Sequence, residues 1–421
     1  MSYTSAALPD RIESDCASPV LCGKRVGMVT FSPYPADPRP RRAVESLLKA
    51  GMTVDLICLA DEENPNRQKS ENLSIWRIPI QHRRAGKLSY AYQYSAFIVA
   101  SASILALQSL RRRYDLAYVH NMPDVLVAST LVPKALGAKV VLDLHDPMPE
   151  LMTTIFKLHP DSSSVRLIRT LEKWSIARAD LVVTVNIACK RIFSARSCPA
   201  QKIGVVMNSP DHTIFGFQAA RPMPHAHAMR RDRFALMYHG SLVERNGLDL
   251  AIDALARVRD RVPAAELRIY GRKTPFLDLM MKKAEHLGLK EAVQYLGPRS
   301  LEALVGEISA CDLGIVPNQR NDFTDINTPT RIFEYLALGK PVIAPRTRGI
   351  QDYFAPDSLI FFEPGNADDL AAKIEQVFCH PAHTADTVMR GQAVYGAHAW
   401  PQERQTFLDL ISQTLDRSHC A

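Results

Sequence analysis

The sequence has 421 residues and lacks the short motifs by which several large enzyme classes are recognised. Neither Gly-x-Gly-x-x-Gly nor a Walker sequence occurs, so it has no dinucleotide fingerprint and no phosphate-binding P-loop. The eight cysteines are scattered, without a Cys-x-x-Cys pair or metal-ligand spacing, and this favours reduced thiols in a cytosolic protein. No Ser-His-Asp arrangement, metal cluster or paired carboxylate emerges from the sequence either. We therefore expect no bound metal and no cofactor.

The sequence also lacks a strong charge imbalance and an apolar N-terminal run. A net charge of +7 favours anionic substrates or an anionic membrane face, but it is too small for a nucleic-acid binder. Residues 1–23 are polar and have no apolar segment of the kind found in signal peptides, so we expect them to be disordered. The content of 47% hydrophobic and 23% charged residues is typical of a globular protein, and the length suits two domains.

The longest weakly apolar stretch runs from Leu88 to Leu110. It contains several serines and glutamines, too many polar groups for a confident membrane span, and clusters of arginine flank it on both sides. One interpretation is a long helix that is half buried in the first domain. The other is a surface helix that also rests on anionic lipid.

Short apolar strands alternate with amphipathic helices, a pattern that predicts parallel sheets in an α/β protein. We expect a first domain at 24–218, a Pro-, His- and Arg-rich linker at 219–233, a second domain at 234–398 and a final helix within 399–421. Both domains should be Rossmann-like, facing each other across a cleft at the carboxyl ends of their strands. The expected strands are Arg25–Phe31, Thr53–Leu59, Leu73–Ile80, Leu116–His120, Lys139–Leu144, Asp180–Val185, Ile203–Asn208, Phe234–Gly240, Glu266–Gly271, Val293–Gly297, Leu313–Pro317, Pro341–Pro345 and Leu359–Pro364.

The most informative segment begins at Thr328 and combines a helix start, one carboxylate, a glycine stop and an apolar strand. Thr328 is a good N-cap, Pro329 suits the first helical position, and Gly339 can take the left-handed conformation that ends a helix. The N–H groups of the first turn can bind an anion. Glu334 lies one turn after Thr330, where it can accept hydrogen bonds from ligand hydroxyls. A diphosphate beside a diol describes a nucleotide-sugar; the alternative is a solvent-facing acid on an ordinary amphipathic helix.

The run E-Y-x-A-x-G-x-P-V-I at Glu334–Ile343 resembles the donor-site segment of retaining glycosyltransferases of family 4. That family has the two-domain GT-B fold, in which a final helix crosses back onto the first domain. The resemblance implies that Glu334 binds the ribose hydroxyls of the donor nucleotide. The residues expected to meet the donor phosphates at the helix start are Asn327, Thr328, Pro329 and Thr330.

Candidates for binding the transferred sugar and the acceptor lie in the first half of the chain. His145 follows a buried strand and precedes two prolines, so it stands at the carboxyl end of a strand. The family carries a histidine here that contacts the transferred sugar, and the resemblance gives this catalytic role to His145; the alternative is a histidine that caps a turn. Further candidates are Asp146 and Glu150, for acceptor binding or as a base, and His120 at the end of the preceding strand.

The loop after the first strand lacks the Gly-Gly pair that many family members place near the donor phosphates. It resembles instead the subset that carries D-P-R-x-R-R, here Asp37 to Arg42. We expect Arg39 to reach the cleft as a substitute cation; the alternative, which also applies to Arg41 and Arg42, is a solvated residue in the first turn of a helix.

The loop that opens the second domain is similar to the family pattern G-x-L-x-x-x-K-G and departs from it at two positions. Asn246 stands where the diphosphate-binding lysine is expected, and Ser241 stands where an arginine is usual. We expect Arg245 to replace the lysine, with Gly240 letting the backbone approach the donor. Arg272 and Lys273 would add positive charge.

A third departure lies before the helix start. The family has an acid eight positions before the ribose-binding glutamate, and here that position is Ile326. Asp322 or Asp325 is expected to supply the missing contact with the donor sugar.

The resemblance implies a hexosyltransferase-type glycosyltransferase that moves a sugar from a nucleotide-diphosphate donor to a glycan or lipid-linked acceptor with retention of configuration. We expect a role in surface polysaccharide biosynthesis, in the cytoplasm or at the inner face of the membrane. One alternative is an inactive GT-B scaffold of a synthesis complex, which the motif departures would explain. Another is a sugar-nucleotide epimerase or a phosphorylase of the same architecture, although no lysine that would anchor pyridoxal is identified.

Overall fold

The residues that the computed structural model describes are 19–62, 64–80, 87–220 and 233–416, with the backbone alone for 87–91. The chain divides into two compact units. One extends to Met207 and takes in the chain from Arg404 onward, and the other is Asn208–Glu403.

The first unit contains an eight-stranded sheet. Its strands are β1 (Arg25–Pro33), β2 (Thr53–Leu59), β3 (Arg67–Lys69), β4 (Leu73–Ile78), β5 (Leu116–His120), β6 (Lys139–Leu144), β7 (Leu181–Thr184) and β8 (Ile203–Val205). Their order in the sheet is β3-β4-β2-β1-β5-β6-β7-β8, and every pair is parallel except β3 with β4. The helices of this unit are Pro38–Lys49, Lys87–Arg111, Leu131–Ala135, Met148–Phe156, Ser163–Arg178 and Ile187–Arg196, with 3₁₀ turns at Asp124–Thr130 and Ala200–Lys202.

The second unit contains a six-stranded parallel sheet. Its strands are β9 (Phe234–His239), β10 (Ala265–Tyr270), β11 (Val293–Gly297), β12 (Leu313–Ile315), β13 (Val342–Pro345) and β14 (Ile360–Phe362), in the order β11-β10-β9-β12-β13-β14. The helices are Leu248–Val258, Pro275–His286, Leu301–Ala310, Thr330–Ala337, Arg348–Gln351, Ala367–Cys379 and Pro381–Ala397, with a 3₁₀ turn at Glu244–Asn246. Both units are thus Rossmann-like α/β domains, as the alternating pattern predicts.

The order of each sheet determines where a ligand can bind. β1 lies between β2 and β5, and β9 lies between β10 and β12, so in both sheets the strand order reverses at the first strand of the unit. The central strands are buried on both faces; every residue of β5 and of β9 is buried. Side chains that follow such strands emerge at the carboxyl edge, at the switch point where open α/β sheets bind ligands.

Every strand expected from the sequence is present, and several are shorter than expected. The antiparallel edge strand β3 was not expected, because its three polar residues carry no apolar alternation.

The boundary between the units lies earlier than the expected end of the first domain at residue 218. Residues from Asn208 onward belong to the second unit, where the Gln218 N–H donates to the Ala337 carbonyl (2.8 Å). Ala220 is held in the same unit by Gln392 (2.9 Å). Most of the expected linker, at 221–232, lies outside the described residues.

The two ends of the chain are described in part. Residues 1–18 of the segment expected to be disordered, and residues 417–421, lie outside the described ranges. In the remainder of the N-terminal segment, Leu21 is fully buried and the Gly23 N–H donates to the Gly51 carbonyl (2.9 Å), so residues 19–23 pack on the first unit. The final helix is Trp400–Asp416, and Phe407 from it lies edge-on to the Tyr118 ring of the first unit (5.8 Å between centroids).

The long helix Lys87–Arg111 is only partly covered by the first unit. Its segment Tyr92–Arg111 is long and apolar enough to cross a membrane by length and composition, and only 28% of it is buried. The buried face repeats every four residues, at Phe97, Ser101 and Leu105. The Leu105 side chain fills the space that a Cβ would occupy at Gly27 of β1 (2.7 Å), so the helix packs closely on the sheet.

Candidate functional site

The helix that carries the candidate donor site begins at Thr330, with Pro329 rather than Thr328 as its N-cap. Thr328 does not cap the helix: its hydroxyl donates to the Gly349 carbonyl (2.7 Å). A Cβ at Gly349 would lie 2.5 Å from the backbone of Ile326, so the loop before the helix is held against the loop after β13. The N–H groups of this helix start lie at the edge where β9 and β12 end.

Glu334 is not the solvent-facing acid of an ordinary amphipathic helix, because only 13% of its side chain is exposed. Its Oε2 lies 2.6 Å from Nε2 of His239, the last residue of β9. Nδ1 of His239 lies 2.8 Å from the Tyr335 hydroxyl, which donates to the Met237 carbonyl (2.8 Å). The glutamate is therefore fastened to the end of the central strand, and sequence reasoning did not identify His239 as a site residue.

Arg331 is a second site residue that sequence reasoning missed. Its Nη1 donates to the His239 carbonyl (2.8 Å) and its Nη2 to the Asn318 side-chain oxygen (2.9 Å). The guanidinium lies over the Tyr238 ring at 5.2 Å from the centroid. As the one cation in the segment from Thr328 to Gly339, Arg331 could have been found from the sequence by its place in the first turn of the helix.

The loop after β9 depends on glycine and on Asn246. Gly240 has a φ of +122°, and a Cβ at Gly271 would lie 2.2 Å from its carbonyl oxygen, so the loops after β9 and β10 are in backbone contact. Asn246 donates to the Ser241 carbonyl (2.8 Å), as does the Tyr238 hydroxyl (2.9 Å). At the position where the family pattern has a lysine, this chain therefore has a side chain that braces the loop.

The expected cations around this loop have different surroundings. The Arg245 guanidinium lies 6.0 Å from the centroid of the Phe323 ring and forms no ion pair with a described residue. Arg272 is exposed, and Lys273 is exposed and paired with Asp278 (3.1 Å). Arg245 thus remains the expected loop cation with charge available for a ligand.

Asp325 does not have the surroundings expected of an acid that contacts the donor sugar. It pairs with Arg348 (2.5 Å) and with Arg320 (3.4 Å), and its backbone carbonyl accepts from the Gly349 N–H (2.9 Å). It therefore holds the loop before the helix. Asp322 is exposed, and Ile326, at the position of the family acid, is buried.

In the first unit, Arg39 is buried. This contradicts the expectation that it is a cation available to a ligand. Its Nη2 donates to Oδ1 of Asp143 (2.7 Å), its Nε lies 3.0 Å from Oδ2, and its Nη1 donates to the Val206 carbonyl (2.9 Å). The Tyr118 hydroxyl donates to the same carboxylate (2.8 Å). Burial by itself would raise the pKa of Asp143, but Arg39 and the neighbouring histidines hold that pKa well below its ordinary value.

His120 and His145 both lie close to this carboxylate, with their rings edge-on to each other (5.2 Å between centroids). Nδ1 of His120 lies 3.0 Å from Nε2 of His145 and 3.3 Å from Oδ2 of Asp143. His120 is fully buried, so it supports His145 from behind; the expectation that it lines the binding site itself is wrong. Of the His145 side chain, 18% is exposed. Since Nε2 of His145 faces inward, Nδ1 is the ring nitrogen left for a ligand. Burial lowers the pKa of His145 far below its ordinary value; the carboxylate of Asp143 opposes this effect and the positive charge of Arg39 adds to it, so the imidazole is neutral near pH 7.

The backbone of His145 is held by Asn121. The side-chain oxygen of Asn121 accepts from the His145 N–H (2.8 Å), and its amide nitrogen donates to Asp124 (2.9 Å) and to the Asp146 carbonyl (3.1 Å). Asp124 is buried, and this burial raises its pKa to about 7.

Glu150 forms an ion pair and is therefore not available to bind the acceptor or to act as a base. This contradicts the expectation from the sequence. Arg196 donates to both oxygens of Glu150 (2.6 and 3.0 Å) and also to Glu172, which is fully buried. Asp146 is half-buried next to His145 and remains a candidate by position.

Among the residues that the structure describes, His120, Asp143 and His145 place three potential ligand atoms within 4.8 Å of one another, close enough for a metal ion. The charge of Asp143 is already balanced by Arg39, and Tyr118 takes one of its lone pairs. A divalent cation would have to displace these donors. We therefore assign no metal to this group.

We predict that the buried Asp124 makes the first unit less stable as the pH rises. Its folded-state pKa of about 7 exceeds the ordinary value near 4, so between about pH 4 and pH 7 the folded state keeps a proton that the unfolded state has lost. The contribution of Asp124 to the free energy of unfolding should fall with pH across that window, by up to about 4 kcal/mol, whereas the lowered pKa of His145 acts in the opposite sense over much of the same range. Asp124→Asn should remove this contribution, so the difference in free energy of unfolding between the wild type and the variant should change with pH across the window, as measured by urea unfolding at a series of pH values.

The matched control is Asp161→Asn, at an exposed position of the same unit. Its stability profile should follow that of the wild type. Parallel profiles for Asp124→Asn and the wild type would contradict the prediction.

Comparisons with known proteins agree with this geometry in both halves of the chain. A family model described as "Glycosyl transferase 4-like domain" matches residues 36–209, and one described as "Glycosyl transferases group 1" matches residues 223–392.

Several curated proteins are similar over part of the chain. A D-inositol 3-phosphate glycosyltransferase of Corynebacterium jeikeium is 32% identical over 26% of this chain. A GDP-mannose-dependent alpha-(1-6)-phosphatidylinositol monomannoside mannosyltransferase of Mycolicibacterium smegmatis is 30% identical over 45% of it, and the probable glycosyltransferase WbjE of Pseudomonas aeruginosa is 22% identical over 72%. The matched segments span 27%, 49% and 74% of the lengths of these three relatives.

Solved structures share the fold at low sequence identity. A sucrose-phosphate synthase from Thermosynechococcus elongatus superposes with a TM-score of 0.72 at 16% identity, covering 94% of this chain and 100% of that one. HepE from Anabaena, in complex with UDP, superposes with a TM-score of 0.67 at 17% identity, covering 93% and 100%. With both halves matched by glycosyltransferase families and the fold shared along the chain, this protein belongs to the glycosyltransferases of the GT-B type.

Proposed function

We propose that the protein transfers a hexose-type sugar from a nucleotide-diphosphate donor to a glycan or lipid-linked acceptor with retention of configuration. The observation that carries the proposal is Glu334: a largely buried carboxylate one turn after a helix start, fastened to the end of the central strand by His239. A carboxylate accepts hydrogen bonds from a ribose diol, while the helix start suits the diphosphate.

The donor would bind entirely to the second unit. In this proposal the phosphates contact the first turn of the helix that begins at Thr330, with Asn327 and Thr328 beside it. Gly240 has no side chain, so the backbone of the neighbouring loop can approach the phosphates closely. Arg245 supplies the positive charge, and Arg272 adds to it from the next loop. HepE was solved with UDP and with UDP-glucose, and one relative is named as GDP-mannose-dependent, which supports a nucleotide-sugar donor for this chain too.

The chemistry asks little of the protein beyond orientation and charge. A nucleoside diphosphate is a good leaving group, so helix N–H groups and Arg245 need only to stabilise the charge that develops on it. The neutral His145 would hydrogen-bond the transferred sugar through Nδ1 and hold its reacting carbon in place. The acceptor hydroxyl then attacks from the face that the leaving group departs, and its proton leaves with the diphosphate. No metal is required in this scheme.

An acceptor linked to lipid would bring the protein to the inner face of the cytoplasmic membrane, in surface polysaccharide biosynthesis. The long helix of the first unit supports this part of the proposal. Tyr92, Val99, Leu107 and Leu110 are exposed at intervals of seven, eight and three residues, which places them on one face of the helix. Three exposed arginines, at positions 111–113, follow and suit anionic headgroups.

We predict that Glu334→Ala weakens nucleotide binding by roughly 10- to 100-fold, because it removes hydrogen bonds between the ribose and a charged acceptor. Isothermal calorimetry with UDP and with GDP measures the dissociation constants. Glu302→Ala, an exposed acid of the same unit, is the matched control and should bind like the wild type. Unchanged affinity in Glu334→Ala would contradict the assignment.

His145→Ala should lower turnover by at least about tenfold and change the donor affinity by less than about threefold, because the histidine meets the sugar and not the nucleotide. Transfer assays with a panel of UDP- and GDP-sugars measure the rate, and NMR of the product reads its anomeric configuration against that of the donor. His159→Ala, at an exposed position of the same unit, is the control. Full turnover in His145→Ala, or an inverted product, would refute the scheme.

The membrane part of the proposal predicts binding to vesicles that contain phosphatidylglycerol and weaker binding to neutral ones. Val99→Asn combined with Leu107→Asn should reduce binding at least about tenfold in a cosedimentation assay, since two exposed apolar side chains are lost. Leu279→Asn, an exposed apolar residue of the second unit, should bind normally. Equal binding by both variants would remove this helix from the proposal.

A further inference from the structure

The hydrogen bonds around His239 form an ordered chain. The Tyr335 hydroxyl has one proton, and it donates that proton to the Met237 carbonyl (2.8 Å). The contact between the same hydroxyl and Nδ1 of His239 (2.8 Å) must then have Nδ1 as the donor. This fixes a proton on Nδ1 and leaves Nε2 to face Glu334.

A bare Nε2 cannot face a bare carboxylate oxygen at 2.6 Å, because two lone pairs would repel each other. A second proton must therefore lie between Nε2 of His239 and Oε2 of Glu334. The pair as a whole then carries no net charge. This removes the repulsion that a lone carboxylate would exert on a neighbouring diphosphate.

The ring of His239 has little freedom to move. Its carbonyl accepts from Arg331 (2.8 Å), and its ring lies edge-on to that of Tyr335 (5.0 Å between centroids). The Tyr335 ring in turn fills the space where a Cβ at Gly314 of β12 would stand (2.5 Å). The imidazole is thus held between β9, β12 and the helix.

We propose that His239 is a positioning residue that orients Glu334 for recognition of the ribose hydroxyls. His239 occupies one lone pair of Oε2, so Oε1, which has no partner among the described residues, is the oxygen best placed to accept from a ligand diol, and its direction is set by the imidazole. Selectivity for ribonucleotides over deoxyribonucleotides then depends on His239, although His239 does not touch the nucleotide. This inference rests on the proposed function, because it takes a nucleotide as the ligand.

The test compares UDP with 2′-deoxy-UDP and 3′-deoxy-UDP by calorimetry, or the corresponding guanine nucleotides if the wild type binds GDP more tightly. The ratio of the deoxy to the ribose dissociation constant should be about tenfold or more in the wild type for at least one analogue. His239→Phe keeps the ring and removes both hydrogen bonds, so the ratio should fall to about threefold or less. His239→Gln keeps an amide donor for Glu334 and should restore part of the ratio.

Further variants make the outcome independent of any one substitution. Tyr335→Phe removes the hydroxyl that orders the chain of hydrogen bonds, and it should lower the ratio although the imidazole itself is unchanged. His286→Phe, at an exposed position of the same unit, should leave the ratio unchanged. Circular dichroism melting curves show whether each variant is folded, and Tyr335→Phe decides the matter if His239→Phe is not.

The possible results separate the inference from the proposed function. If the wild type binds no nucleotide, the proposed function fails and the inference fails with it. If Glu334→Gln loses the ribose selectivity while His239→Phe and Tyr335→Phe keep it, the proposed function stands and the role of His239 is refuted. Loss of selectivity in all three, with partial recovery in His239→Gln, supports the inference.

Discussion

A buried carboxylate must find donors for its oxygens, and this constraint organises both candidate sites. Removing an ionised carboxylate from water costs several kcal/mol unless hydrogen bonds and opposite charge replace the lost solvent. Asp143 meets the requirement with Arg39, Tyr118 and His120, and Glu334 meets it with His239. In each unit the donors come from elements distant in sequence, so satisfying the acid also fixes the surrounding side chains.

The two sites share a plan because the strands that lead to them are parallel to their neighbours in both sheets. His120 ends β5, His145 follows β6 and His239 ends β9, so each histidine stands at a carboxyl edge. An imidazole is suited to this position, since it can donate on one side to an acid or a hydroxyl and present its other nitrogen to a neighbour. In the first unit the chain of contacts leads outward to His145, whose side chain is partly exposed. In the second unit it leads to a carboxylate.

The departures from the family pattern become intelligible as exchanges of role. Asn246 stands in place of a lysine and braces the loop through the Ser241 carbonyl. Arg331, from the helix that begins at Thr330, brings a cation to the carboxyl end of β9. Asp325, one of the two residues expected to replace the acid absent at Ile326, instead binds Arg348 and Arg320. The geometry of this chain therefore weighs against treating each missing motif residue as a loss of function, since charges at this edge have moved to other positions.

The amino-acid sequence by itself determined the alternation of strands and helices and the Rossmann-like character of both units, and it singled out Glu334 and His145 as candidate site residues. These follow from local properties: apolar runs, turn residues, helix signals and a motif of contiguous residues. The tertiary structure alone decided which side chains are paired. Arg39 and Glu150 could be expected as free charges from their neighbours in sequence, but their partners Asp143 and Arg196 stand 104 and 46 residues away. His239 carried no signal of its own, because its partner Glu334 stands 95 residues further on and only the packing of a helix against a strand end brings the two within hydrogen-bond distance.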